Sequence, residues 1–76
     1  MNVKLTQWNK MGDHPAVTLK CSAEFEYQEA RKDGAGFIDI FTIVYPGNYV
    51  VEINGFFVGV ISSSKAEQIK NGSENV

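Results

Sequence analysis

Asp13 and His14 form the one adjacent carboxylate–imidazole pair in the sequence. A carboxylate can fix a histidine tautomer and leave the other ring nitrogen as a general base. Neighbours in a loop seldom aim their side chains at each other, and no partnered nucleophile motif accompanies this pair. The expectation is therefore a turn in which Asp13 caps backbone N–H groups, and no residue is assigned a catalytic role. Cys21 falls in the alternating row Val17, Leu19, Cys21 and reads as a small buried hydrophobe rather than a nucleophile. One Cys and one His cannot furnish the four N/S ligands of a zinc site, so neither metal nor cofactor is expected. Trp8 reads either as core with one edge wet or as a stacking surface for a base. Tyr45, Tyr49, Phe56 and Phe57 have the character of a nucleic-acid stacking platform. Such a platform also needs Lys and Arg to track phosphates, and the nearest are Lys32 and Lys65. The segment KDGAG lacks a phosphate-loop pattern, and Gly34 and Gly36 read as turn residues.

The chain has 76 residues, a net charge of −2 and basic residues scattered along its length. That length holds one domain, 1–76, with 72–76 read as a flexible tail. No basic stripe supplies an electrostatic footprint for nucleic acid. A lone cysteine suits a reducing compartment and excludes a disulfide scaffold. The N-terminal MNVKLTQWNK has no apolar run of the kind a signal peptide needs. The longest apolar stretches are strand-sized, so no membrane span is expected.

What must position these residues is a sheet. VKLTQW alternates and predicts a first strand, and NKMGDHP predicts a loop. AVTLKCSAEFEY predicts one strand or two. Helix formers over Ala23–Lys32 make a helix the rival there, with strand favoured up to Tyr27. Tyr45-Pro46-Gly47-Asn48 fits a type II turn. Asn54-Gly55 between apolar runs is a type I′ hairpin signal. An unbroken register from that turn pairs Ile53 with Phe56, Val51 with Val58 and Tyr49 with Val60. It makes Tyr49, Val51, Ile53, Phe56, Val58 and Val60 the core face. Phe57 then stands on the opposite, mixed face as the large exposed residue. SSSKAEQIKNG predicts a short helix capped by Ser63, anchored by Ile69 and stopped at Gly72. The fold class is β-rich α+β: an antiparallel meander of four to five strands, running from about Gly36 to Ser62 in its second half, with a C-terminal helix packed on it.

Two segments, LTQWNKMGDHPAV (5–17) and GFIDIFTIVYPGNYVVEINGFFVGV (36–60), are similar to small proteins of tailed bacteriophages and prophages. Those proteins carry a strand ending in QW, a loop with Gly-Asp-His-Pro and a V-x-P-G-D-[WY]-[IV]-[IV] hairpin. The likeness covers about half the chain. It departs at Asn48, where the family has Asp, and at SSSKAEQ, where the family often has Pro-Cys-Lys-Pro-Asp. The resemblance implies a small antiparallel sheet and a phage origin, and carries no catalytic signature.

Two functions follow as expectations. One is a non-enzymatic inhibitor or modulator in the host cytoplasm. It would contact a host protein or an anti-phage defence system through Phe57, Tyr45 and Trp8, or by strand addition at the hairpin edge. The other is a homo-oligomer that sequesters a nucleotide signal. There Trp8 would stack, while Lys10, Asn48 and the Gly34–Gly36 backbone supplied polar contacts.

Overall fold

The computed structural model describes residues 2–70. The Gly72 stop and the 72–76 tail lie outside the described residues. The Asn54-Gly55 turn forms as expected: φ is 52° and 86° at its two centres, the positive pair that joins two strands with the right twist. It links β4 (Tyr49–Ile53) to β5 (Phe56–Ile61). The Pro46-Gly47 turn also forms, with φ of 96° at Gly47 and Asn48 N donating to Tyr45 O at 3.0 Å.

The strand on the other side of β4 is not the preceding one. β1 (Val3–Gln7) pairs antiparallel with β4, Leu5 opposite Val51, so one sheet runs β1-β4-β5. β2 (Gly36–Ile38) and β3 (Thr42–Val44) form a separate two-stranded sheet. This corrects the continuous meander from Gly36. Trp8 explains why: its N–H donates to Asn48 O and its carbonyl accepts from Gly47 N, both at 2.8 Å. The end of β1 thus takes the place beside β4 that β3 was expected to fill.

The segment before β2 also differs. Thr18 makes a single bridge to Phe37, with both N–H···O bonds at 2.8 Å. Thr18 Oγ1 then accepts from Lys20 N at 3.2 Å, a local bond that turns the chain out of strand. Leu19 ends up exposed and Cys21 half-buried. Beyond it, the helix wins over the strand: α1 spans Phe25–Lys32. Ser22 supports its start, with Oγ accepting from Glu24 N and the carbonyl from Gln28 Nε2. At its end Gly34 N donates to Arg31 O and Ala35 N to Ala30 O. That is a Schellman closure, with Gly34 at φ 91°. The last helix, α2 (Ser63–Lys70), starts one residue earlier than expected. Ser62 caps it, its Oγ accepting from Lys65 N at 3.2 Å. Ala66, not Ile69, is its buried residue.

The layers follow from β2, whose three residues are all buried. Gly36, Ile38 and Val44 share one face of the small sheet. On that face Ile38 and Val44 pack with Trp8, Val17 and Val50. Phe37 faces the other way, onto Ala30 and Ala35, with Tyr27 edge-on at 6.3 Å between ring centroids. The order is three-stranded sheet, two-stranded sheet, helix α1. Burial of each large core side chain contributes about 1.5–3 kcal/mol before ordering costs. Gly36 is required where the layers meet. A Cβ there would collide with Val17 Cγ1 and come within 2.9 Å of Trp8 Cζ2. It is a strand residue of close approach rather than the turn residue expected.

Candidate functional site

The hairpin register holds only near its turn. Ile53 faces Phe56 and Glu52 faces Phe57, but Val51 faces Gly59, Val50 faces Val60 and Tyr49 faces Ile61. Val58 is the extra residue of a β-bulge. The core face is accordingly Val50 with Val60, together with Glu52 and Phe57 further along. Tyr49, Val51, Ile53 and Phe56 point outward. The expected core face is thus inverted along β4, and Val60 reaches the core only because the bulge switches the parity of β5.

The inversion and the bulge expose Phe56 and Val58, which alternation assigns to the core face, whereas Phe57, expected on the outer face, shares the face of Val50 and Glu52 and is exposed only at the sheet edge. Phe56 is 74% exposed, Val58 54% and Phe57 37%. They are consecutive on β5, which carries no charge and no proline. Among the described residues β5 pairs with β4 alone, so its outer edge is open. The opposite edge, β1, carries Lys4. Charged residues are a usual guard of an exposed strand edge, and β5 lacks one.

The five residues singled out as binding candidates divide. Trp8, Lys10, Tyr45 and Asn48 lie toward one end of β4, where Trp8 N donates to Asn48 O and Gly47 N to Trp8 O. Phe57, opposite Glu52, lies about 14 Å away along the strand, four residues at ~3.4 Å each. Trp8 is 1% exposed in the core and cannot stack on a ligand. Its Nε1 has no hydrogen-bond partner among the described residues. Asn48 is committed to its turn, Oδ1 accepting from Tyr45 N at 3.0 Å. The Gly34 N–H closes α1. Lys10 and Tyr45 are exposed. No cavity opens among the described residues.

Asp13 caps Asn9 N and Lys10 N through Oδ2, at 2.9 and 3.2 Å. His14 turns away from it and meets Glu52, Nε2 to Oε1 at 3.1 Å, while its Nδ1 accepts from Ala16 N at 3.0 Å. Because Nδ1 is an acceptor, Nε2 carries the proton and donates to the carboxylate. Neither ring nitrogen retains a free lone pair for base chemistry. The pair instead ties the 9–17 loop to β4. Among the described residues no three His, Cys, Asp or Glu side chains cluster as metal ligands, and no helix is long and apolar enough to cross a membrane.

No protein-family model, curated protein or solved structure matches the chain.

Proposed function

We propose that this chain is a small non-enzymatic binding protein that grips another protein along the open edge of β5. The observation that carries this is the edge itself: six uncharged residues, unpaired on one side, with Phe57 and Val58 exposed beside it. An added strand would gain main-chain hydrogen bonds from the edge and side-chain contacts from Phe57 and Val58. Aromatic residues of this kind are common anchors of binding energy. The engagement of both His14 nitrogens supports a role without catalysis. The likeness of residues 5–17 and 36–60 to small tailed-phage proteins makes the partner a protein of the infected host. That partner is a host factor or a component of anti-phage defence, inhibited or modulated in the host cytoplasm. Sequestration of a nucleotide is the weaker account, because Trp8 and Asn48, its main contacts, are occupied within the fold.

The test is capture of the partner by tagged protein during infection, with Phe57→Lys, Val58→Lys and Tyr45→Ala compared with wild type. Charge placed on the edge is expected to abolish capture, with the melting temperature near wild type for Val58→Lys and lower for Phe57→Lys, whose ring lies on the core face. Tyr45→Ala, at the far end of β4, is expected to retain it. Unchanged capture by both lysine variants would contradict the assignment.

A further inference from the structure

β5 ends its sheet without charge or proline, yet it is not a regular edge. Its free backbone groups follow from the register. Along an antiparallel ladder, residues alternately turn their N–H and C=O toward the partner strand and away from it. The two-residue Asn54-Gly55 turn is closed by Ile53 and Phe56, which turn these groups toward each other. Phe57, opposite Glu52, therefore turns its groups to the open edge. Gly59, opposite Val51, turns inward again, and Val60, opposite Val50, turns outward. The outward residues are Phe57 and Val60, three positions apart, because the bulge inserts Val58 between them. In a regular strand they fall on alternate residues.

An incoming strand brings its own pairing groups at every second residue. In step at Phe57, it is out of step at Val60, and the reverse. The bulge also bends β5 and tightens its twist, so an added strand diverges from it past Val58. The two halves of the edge differ in access. Phe56, Phe57 and Val58 are exposed, whereas Gly59, Val60 and Ile61 are half-buried and α2 begins at Ser63. Val58 itself is 54% exposed and has no partner on β4, so neither packing nor pairing accounts for it.

We propose that Val58 is the guard of this edge. The bulge confines an added strand to the Phe57 end and bars the continuous pairing through which an uncharged edge zips onto further strands. The partner that fits is a short extended segment that ends or bends opposite Val58. A regular strand running the length of β5 does not fit. This inference narrows the partner of the contact proposed above but rests on the open edge alone, so it stands or falls without that partner.

Removing Val58 tests it. Every other β4–β5 pair keeps its partner in the deletion variant, and the outward groups return to alternate residues. The variant is expected to melt cooperatively and to self-associate about tenfold or more tightly than wild type, the worth of two further backbone bonds. Sedimentation velocity and thioflavin T fluorescence at equal concentrations read this, with wild type expected to remain monomeric and dye-negative. Adding Phe56→Lys to the deletion variant puts a charge on the exposed edge and is expected to return it to monomer. Amide exchange of wild type reads the bulge with no variant at all: Phe57 and Val60 are expected to exchange fast, and Phe56, Gly59 and Ile61 slowly. That measurement decides the matter if the deletion variant does not fold. A folded deletion variant that stays monomeric, association that survives Phe56→Lys, or wild type that assembles as readily as the variant would each overturn the proposal. So would a protected Val60 amide beside a freely exchanging Gly59, the pattern of a regular strand.

Discussion

His14 and Glu52, 38 residues apart in sequence, meet at 3.1 Å and fasten the N-terminal loop to the central strand of the three-stranded sheet. His14 is buried, and its second nitrogen accepts from Ala16 N–H. Imidazole nitrogen shifts measured by NMR at neutral pH are expected to report the Nε2–H tautomer. An Nδ1–H tautomer would contradict the bond set. His14→Ala removes both bonds and is expected to cost about 1–3 kcal/mol in urea denaturation.

The inverted faces of β4 make opposite forecasts for neighbouring valines. Val50 is fully buried with Trp8 and Val44, whereas Val51 points outward. Val50→Ala is expected to cost about 2 kcal/mol, from two lost methyl groups and the space they leave. Val51→Ala is expected to cost less than about 1 kcal/mol. The reverse ranking would place Val51 rather than Val50 on the core face of β4.

Gly36→Ala is expected to destabilise by about 1–3 kcal/mol or more, because the added methyl group has no free volume between Val17 and Trp8. Unfolding curves for wild type and variant check this. A neutral effect would mean that the two sheets are not in contact at Gly36.

Ile40, at the tip joining β2 and β3, holds φ at 60° and is largely exposed. A β-branched side chain is costly in that conformation, and asparagine is tolerated there. Ile40→Asn is expected to raise stability by up to about 1 kcal/mol, read as a higher urea midpoint. A loss of stability would mean that the Ile40 side chain contributes more by packing than it costs in backbone strain.

What could be seen in the sequence was whatever a few adjacent residues decide. The Pro46-Gly47 and Asn54-Gly55 turns are set by the φ values their own residues accept, and the C-terminal helix by local helix formers after a serine. The faces of β4 and β5 were not visible, because Tyr49 to Ile53 is apolar at nearly every position and alternation cannot rank two apolar faces. The bulge at Val58 then shifts parity with no residue to announce it. The pairing of β1 with β4 joins residues 42 to 50 positions apart and continues in the backbone bonds of Trp8 to Asn48 and Gly47, which no local pattern encodes. The same ambiguity hides the candidate surface: alternation assigns Phe57 to the outer face and Phe56 and Val58 to the core, whereas Phe57 shares the face of Val50 and Phe56 and Val58 are exposed. Trp8, proposed for ligand contact, carries the core instead.

The most direct test of the proposed function is amide hydrogen exchange of the chain alone and with its captured partner. Strand addition at β5 predicts new protection concentrated in Phe56–Ile61, with β1, the other edge, unchanged. Protection confined to β1 or to the Tyr45–Asn48 turn, with β5 exchanging as it does in the free chain, would contradict it.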